Sequence, residues 1–457
     1  MEQNVLRPVV LEVSSAFGLR DRGWVFVGEG QVLKRTLLWT VCVLLALIIP
    51  PGVSADTSPD FPIVLVSASV GRYEKLEIAC FAIDSTGYTN PFDPAEVSVE
   101  CHFIDPDSVE EIVYGFWYQE FERSQTSSGR EVLEPAGGGL GLPHWRVRYA
   151  PKKVGNYSCY VTVTDSSGTV QSQTRSFTVT ASDNPGFLRV PAGGSRYFQF
   201  DNGESFFGLG MSPAHWGGPK LKEKTYWYDE YFAAMNTYKG NFARVWVLNS
   251  ISVFTDWVVT IQDSQLGANY DLADAWRLDH ILNVAKDNGV YIQLNLEDVN
   301  SFAYNWYNPG EYGEKNLYAY EAGGPCQDRW DYFTRQDARD YAKQVYRYMV
   351  ARYGYSTNLA SWELWNEIDC IQYWTDLANA SELLAWHQEF GQWFKDNDPN
   401  GHLVTTSYGS FTPGPSMWGL DEIEYGQMHG YYVPGWTAHP SDPLGRNMAD
   451  FINYYTE

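Results

Sequence analysis

From residue 205 onward the chain repeats one pattern, a short β-type run followed by a helix-type stretch. "SFFGLGMS" (205–212) reads as a first strand, "FARVWVLN" (242–249) as a second and "VYIQLNLEDVN" (290–300) as a third. "LASWELWNEID" (359–369), "HLVTTSYGS" (402–410) and "IEYGQMHGYY" (423–432) supply the fourth, fifth and sixth. Between them lie amphipathic segments such as "DLADAWRLDHILNVAKDNG", with Asp271 placed as an N-cap and Gly289 as the stop. Alternation of this kind demands a parallel sheet covered by helices. No GxGxxG loop follows the first strand, which argues against a dinucleotide-binding doubly wound sheet. Polar residues gather instead at C-terminal strand ends, namely Arg244, Glu297, Asp298, Asn366, Glu367 and His429. That is where (β/α)₈ TIM barrels carry their sites. The expected architecture is a TIM barrel of which about six β/α units are present.

Residues 56–182 read differently. Seven or so short strands, separated by Gly, Pro, Asp and Ser, predict an all-β, immunoglobulin (Ig)-like sandwich. In "GNYSCYVTVTD", Tyr157 stands two residues before Cys159, the spacing of a tyrosine corner. A Cys80–Cys159 bridge, a Cys101 pairing and plain buried thiols all remain open. The sandwich has either a structural or a carbohydrate-binding role. Residues 183–205 form a lead-in, where "DNG" (201–203) between aromatic runs predicts a hairpin, and the barrel is expected over 206–457.

Residues 1–55 look like an extension and an export signal. Lys34 and Arg35 precede a 13-residue apolar run, "LLWTVCVLLALII", and "PPGVSAD" follows. Cleavage is expected after Ala55, giving a secreted protein with no stable membrane anchor. The polar first 31 residues point to a true start near Val32. The net charge of −24 opposes nucleic-acid binding. No CxxC pair or zinc-type Cys/His spacing is present, and no cofactor or metal is expected. The 18 Trp and 32 Tyr include rings that sugars stack on. Trp216, Tyr304, Trp306, Trp374, Trp418 and Trp436, all beyond strand ends, are candidate platforms.

"LASWELWNEIDC" then carries the chemistry. An apolar strand that ends in an amide and a carboxylate must pair the charge or use it. "WELWNEID", "NFARVWV" and "MHGY" resemble the corresponding strands of clan A glycoside hydrolases, retaining (β/α)₈ enzymes that include the family 5 cellulases and mannanases. The resemblance covers roughly residues 190–457. It implies Glu367 as general acid/base and Asn366 as the ligand of the sugar 2-hydroxyl. It also implies that Arg244 supports the nucleophile and that His429 and Tyr431 orient the pair. The sandwich likewise looks like the β domain often found ahead of such barrels. Strand three ends in "NLED" where many family 5 members carry His, so the substrate subsite is expected to differ, and Glu297 and Asp298 are expected to bind a sugar hydroxyl or a neighbouring side chain.

Retaining hydrolysis needs two carboxylates about 5–5.5 Å apart, one protonating the leaving oxygen and one attacking. In the family the attacking group ends strand seven, whereas this sequence reaches Glu457 in the helix after strand six. The nucleophile is therefore expected beyond it, and residues 1–457 alone are expected to be inactive. The leading expectation is a secreted retaining hydrolase of β-glycosidic bonds in a polysaccharide or oligosaccharide. The alternative is a non-catalytic carbohydrate-binding protein with the same cleft. An α/β esterase is disfavoured because there is no GxSxG elbow. N-terminal sequencing of the exported protein should read Asp56-Thr57-Ser58; a sequence containing residues 37–49 would refute the cleavage.

Overall fold

The computed structural model describes residues 61–83, 87–138, 141–192, 197–210, 223–247, 270–299, 302, 316, 318–373, 380–409 and 417–429. These belong to a compact unit running from Ser58 to Glu457. The export segment, the proposed strand-six extension through Tyr431 and the final "RNMADFINYYTE" helix lie outside them.

Twelve strands build the first part. In chain order they are β1 (Val64–Leu65), β2 (Ser69–Gly71), β3 (Leu76–Cys80), β4 (Val97–Ile104), β5 (Glu110–Tyr114) and β6 (Phe116–Tyr118). There follow β7 (Phe121–Gln125), β8 (Glu131–Pro135), β9 (His144–Tyr149), β10 (Gly155–Asp165), β11 (Gly168–Gln171) and β12 (Arg175–Thr180). One sheet runs β1-β3-β9-β6. The other runs β2-β12-β10-β4-β5, with β11 paired to β10. Period-two burial explains the packing. On β4, Val97, Val99, Cys101 and Phe103 face inward while their neighbours are half-exposed. They meet Ile78 and Val147 of the facing sheet in one apolar core. The Tyr157 hydroxyl accepts the Lys153 backbone N–H at 3.1 Å, which closes a tyrosine corner. Cys80, Cys101 and Cys159 are free, buried thiols, so no bridge joins them.

The chain then forms β13 (Leu188–Arg189), β14 (Phe198–Phe200) and β15 (Ser205–Phe206), a small antiparallel sheet. The "DNG" turn lies between β14 and β15, with Gly203 at φ 88°, where a side chain would be strained. Phe200 and Phe206 pack on Ala360, Leu403 and Tyr291, at the starts of the parallel strands. The hairpin thus plugs the N-terminal end of the barrel. This corrects the expected first strand at 205–212. Ser205 and Phe206 belong to the plug, and Gly210 makes the parallel bridge to Phe242.

Five parallel strands follow in order. They are β16 (Phe242–Trp246), β17 (Tyr291–Asn295), β18 (Leu359–Glu363), β19 (Leu403–Tyr408) and β20 (Tyr425–Met428). Helices Thr225–Thr237, Leu272–Asp287, Gln336–Tyr353 and Ala380–Asn397 alternate with them. Asp271 caps the second of these, accepting the N–H groups of Ala273 and Asp274. Ala243, Val245, Ile292, Leu294, Trp362 and Val404 face the helices and share one core with Leu278, Val345 and Phe390. No described helix is long and apolar enough to cross a membrane.

The sandwich is fused to this layer by buried charge. Arg148 of β9 pairs with Asp279 of helix Leu272–Asp287, and Arg352 of helix Gln336–Tyr353 reaches the same carboxylate at 2.7 Å. Arg148 and Arg146 also hold Glu77, at 2.9 and 2.7 Å. Burial alone would raise both carboxyls, but the flanking guanidiniums outweigh it and hold Glu77 and Asp279 below their ordinary values of 4.5 and 3.8. Depressed carboxyls contribute stability that is complete above those ordinary values and is lost as pH falls through the folded ones. Acid should therefore loosen this seam below about pH 4. Asp279→Ala, which leaves Arg352 without a carboxylate while Arg148 keeps Glu77, should cost about 3 kcal/mol in urea denaturation at pH 7. A loss under about 1 kcal/mol would show that the seam is incidental.

Candidate active site

The inner face of the parallel sheet is polar. Arg244 (β16), Gln293 (β17) and Ser361 (β18) share one row, and Trp246, Asn295 and Glu363 share the next. Arg244 crosses over β17 to form a two-pronged pair with Glu363, with Nε and Nη2 each 2.5 Å from a carboxylate oxygen. Its guanidinium lies over the Trp246 ring, 4.8 Å from the centroid. Glu363 has no solvent exposure. It also accepts Gln293 Nε2 at 2.7 Å, and Tyr425 OH donates to Gln293 Oε1 at 2.9 Å. A buried charge pair survives only when its remaining lone pairs and protons are met in this way. Asn295 breaks the rule. It is fully buried, and neither amide atom has a hydrogen-bond partner among the described residues.

Arg244 has a partner here that the sequence reading did not name. Two of its nitrogens are committed to Glu363, a carboxylate hidden within the apolar reading of strand four. Arg244 Nη2 also donates to Asn366 Oδ1 at 2.7 Å, and Asn366 Nδ2 donates to Asp298 Oδ1 at 2.8 Å. The Asn366 amide is therefore pinned at both ends, and its second Nδ2 hydrogen has no described partner.

Glu297 takes another direction. Its carboxylate is buried in the helix layer, where Oε1 accepts the hydroxyls of Tyr318 (2.9 Å), Tyr332 (3.0 Å) and Tyr346 (2.7 Å). Of its two expected roles, the described contacts are those with neighbouring side chains. Burial first, and the Glu297 charge second, raise all three phenols, so they stay protonated as donors.

Glu367 follows Asn366 in a left-handed conformation, φ 54°, uncommon for a residue with a side chain. Its N–H donates to Ser407 Oγ at 3.0 Å. Its carboxylate Oε1 lies 2.7 Å from His429 Nδ1. Gln427 Nε2, a donor 3.4 Å from His429 Nε2, favours the tautomer with the proton on Nδ1, facing Glu367. The adjoining Cys370 thiol is pushed up to about 12 by burial and then by the charges of Asp369, Glu367 and Asp298. The structure thus brings Arg244, Asn366, Glu367 and His429 together at one end of the sheet. Tyr431, Trp216, Trp306, Trp374, Tyr304 and Trp436 lie outside the described residues. Trp418 packs as structure, stacked on Tyr408 at 4.4 Å and donating to Thr406 O. Among the described residues, no group of three or more His, Cys, Asp or Glu could hold a metal ion.

Residues 202–440 match the profile of Cellulase (glycosyl hydrolase family 5), just over half of the sequence. The chain belongs to glycosyl hydrolase family 5. Residues 69–164 match a domain of unknown function, DUF5060. The family 5 chain is 27% identical over 166 residues to mannan endo-1,4-beta-mannosidase A of Hypocrea jecorina, covering 35% of this chain and 34% of that one. It is 27% identical over 202 residues to the mannan endo-1,4-beta-mannosidase A of Emericella nidulans, covering 41% and 48%. It thus spans a third to a half of the length of these curated relatives. The crystal structure of a Bacteroides vulgatus protein, solved as a candidate glycoside hydrolase, superposes with a TM-score of 0.52 at 16% identity. That match covers 78% of this chain and 59% of the other and shows a shared fold.

Glu363→Ala should leave Arg244 buried without a counter-charge and lower stability by about 3–5 kcal/mol, read by denaturant unfolding. Glu363→Gln, which keeps the shape, should cost less. Equal, negligible costs for both would contradict the buried pair.

Proposed function

We propose that this family 5 chain is part of a secreted retaining β-glycoside hydrolase, with Glu367 as general acid/base. The observation that carries the reading is the placement of Glu367. It ends the fourth barrel strand's run, held by Ser407 from behind and by His429 at the carboxylate. The mannosidase names of the matched relatives make β-1,4-mannan the proposed substrate. Glu367 would give its proton to the glycosidic oxygen as a second carboxylate bonds to the anomeric carbon. It would then take a proton from the water that releases the sugar. The Asn366 Nδ2 hydrogen that has no described partner is the proposed donor to the sugar 2-hydroxyl.

The attacking carboxylate is proposed to come from a strand that follows residue 457. The described acids beside Glu367 already have other work. Glu363 holds Arg244, Asp298 holds Asn366, Asp369 accepts the Gly409 N–H and Glu297 accepts three phenols. Arg244 would act on the reaction through Asn366.

The test is turnover by the product of the complete reading frame. Glu367→Ala should lower mannan hydrolysis by about 10²–10⁴-fold. It should lower glycosylation by a dinitrophenyl mannoside, whose leaving group needs no proton, far less. Equal loss on both substrates would remove Glu367 from the acid role. Mannan binding without release of reducing ends would favour the non-catalytic carbohydrate-binding reading.

A further inference from the structure

The end of β19 holds a feature that the catalytic reading above does not use. Gly409 follows Tyr408 directly, and its N–H donates to Asp369 Oδ1 at 2.7 Å. A methyl group placed on Gly409 would lie 3.0 Å from Glu367 Cδ and 3.1 Å from Cγ. It would also lie 2.9 Å from Cys370 Sγ. Gly409 is not among the glycines with positive φ, so its backbone would accept alanine. What the position lacks is room, which Cys370 Sγ and the Glu367 side chain fill.

The same strand end fixes the backbone beneath. Ser407 is fully buried, its Oγ accepts the Glu367 N–H, and its own N–H donates to Trp365 O at 3.0 Å. A left-handed glutamate persists only where its surroundings over-determine it. Here Ser407 meets the backbone, Gly409 leaves space for the carboxyl, and His429 receives that carboxyl on the far side.

We infer that Ser407 and Gly409 are positioning residues for Glu367, the first by gripping its N–H in the left-handed turn and the second by vacating the space its carboxyl occupies. The inference rests on Glu367 as the acid/base, but its geometric half is separable. A side chain at 409 crowds Cys370 Sγ and the Glu367 side chain, and these must give by a few tenths of an ångström, which disturbs the 2.7 Å contact of the carboxylate with His429 Nδ1. A displacement on the order of 1 Å costs an acid about 10²-fold in rate, and a smaller one costs less.

The experiment uses the product of the complete reading frame, ¹⁵N-labelled at histidine, as wild type, Gly409→Ala and Ser407→Ala. The first readout is the ¹⁵N resonance of His429 Nδ1, which reports the contact with Glu367. It should shift in Gly409→Ala while the other histidine signals stay in place. The second readout is turnover on mannan against glycosylation by a dinitrophenyl mannoside, read as the pre-steady-state burst of dinitrophenol. Both variants should lose about 10-fold on mannan and much less in the dinitrophenol burst. An unchanged His429 signal in folded Gly409→Ala overturns the inference. So does an equal loss on the two substrates, which a merely structural role would give. If Gly409→Ala does not fold, Ser407→Ala decides by the same substrate ratio. If wild type hydrolyses neither substrate, the proposed function falls and the His429 signal alone judges the positioning.

Discussion

The Arg244–Glu363 pair governs the inside of this barrel. A cation and an anion withdrawn from water are costly unless geometry and further hydrogen bonds compensate. Here compensation comes from three strands and the segment after β18, since Gln293, Tyr425, Trp246 and Asn366 all serve the pair directly or at one remove. The pair therefore fixes how β16, β17 and β18 lie relative to one another. Through Asn366 it also sets the first residue of the turn that presents Glu367. The Arg244 charge is paired with Glu363 within the sheet, and through Asn366 the pair lies against the turn that carries Glu367.

Two further contacts keep that sheet in shape. The aromatic hairpin β13–β15 seals the strand starts, where Phe200 and Phe206 cover Tyr291, Ala360 and Leu403. The sandwich joins the helix layer through Asp279 and its arginines, and Phe116 and Tyr118 of β6 lie in the barrel's own apolar core. The β domain is thus built into the barrel wall, which agrees with a structural role. Its tyrosine-corner bond and inward thiols are the means by which a small sandwich completes its own core.

Much of this was legible from local pattern. Asp271 as a cap, a third strand read over 290–300 and found at Tyr291–Asn295, and the amide–carboxylate pair after strand four follow from propensity and period. The misses share a physical origin in contacts distant along the chain. Glu363 was hidden because "LASWELW" reads as uniformly apolar; only its register with Trp246 and Asn295 reveals an inward carboxylate. The aim of Glu297 depends on Tyr318, Tyr332 and Tyr346, which no local rule links to it. "SFFGLG" satisfies a barrel strand and a plug hairpin equally, and pairing with Phe198–Phe200 decided for the plug. Gly409 carried no signal, since an isolated glycine after a strand ordinarily marks a turn.

The central claim is a division of labour in which Glu367 moves protons and another carboxylate attacks. Trapping with a 2-deoxy-2-fluoro mannoside bearing a dinitrophenyl leaving group, followed by peptide mass mapping, tests it most directly. The account predicts a covalent sugar on a glutamate C-terminal to residue 457, with Glu367 unmodified. A sugar on Glu367, or on Glu363, would contradict it.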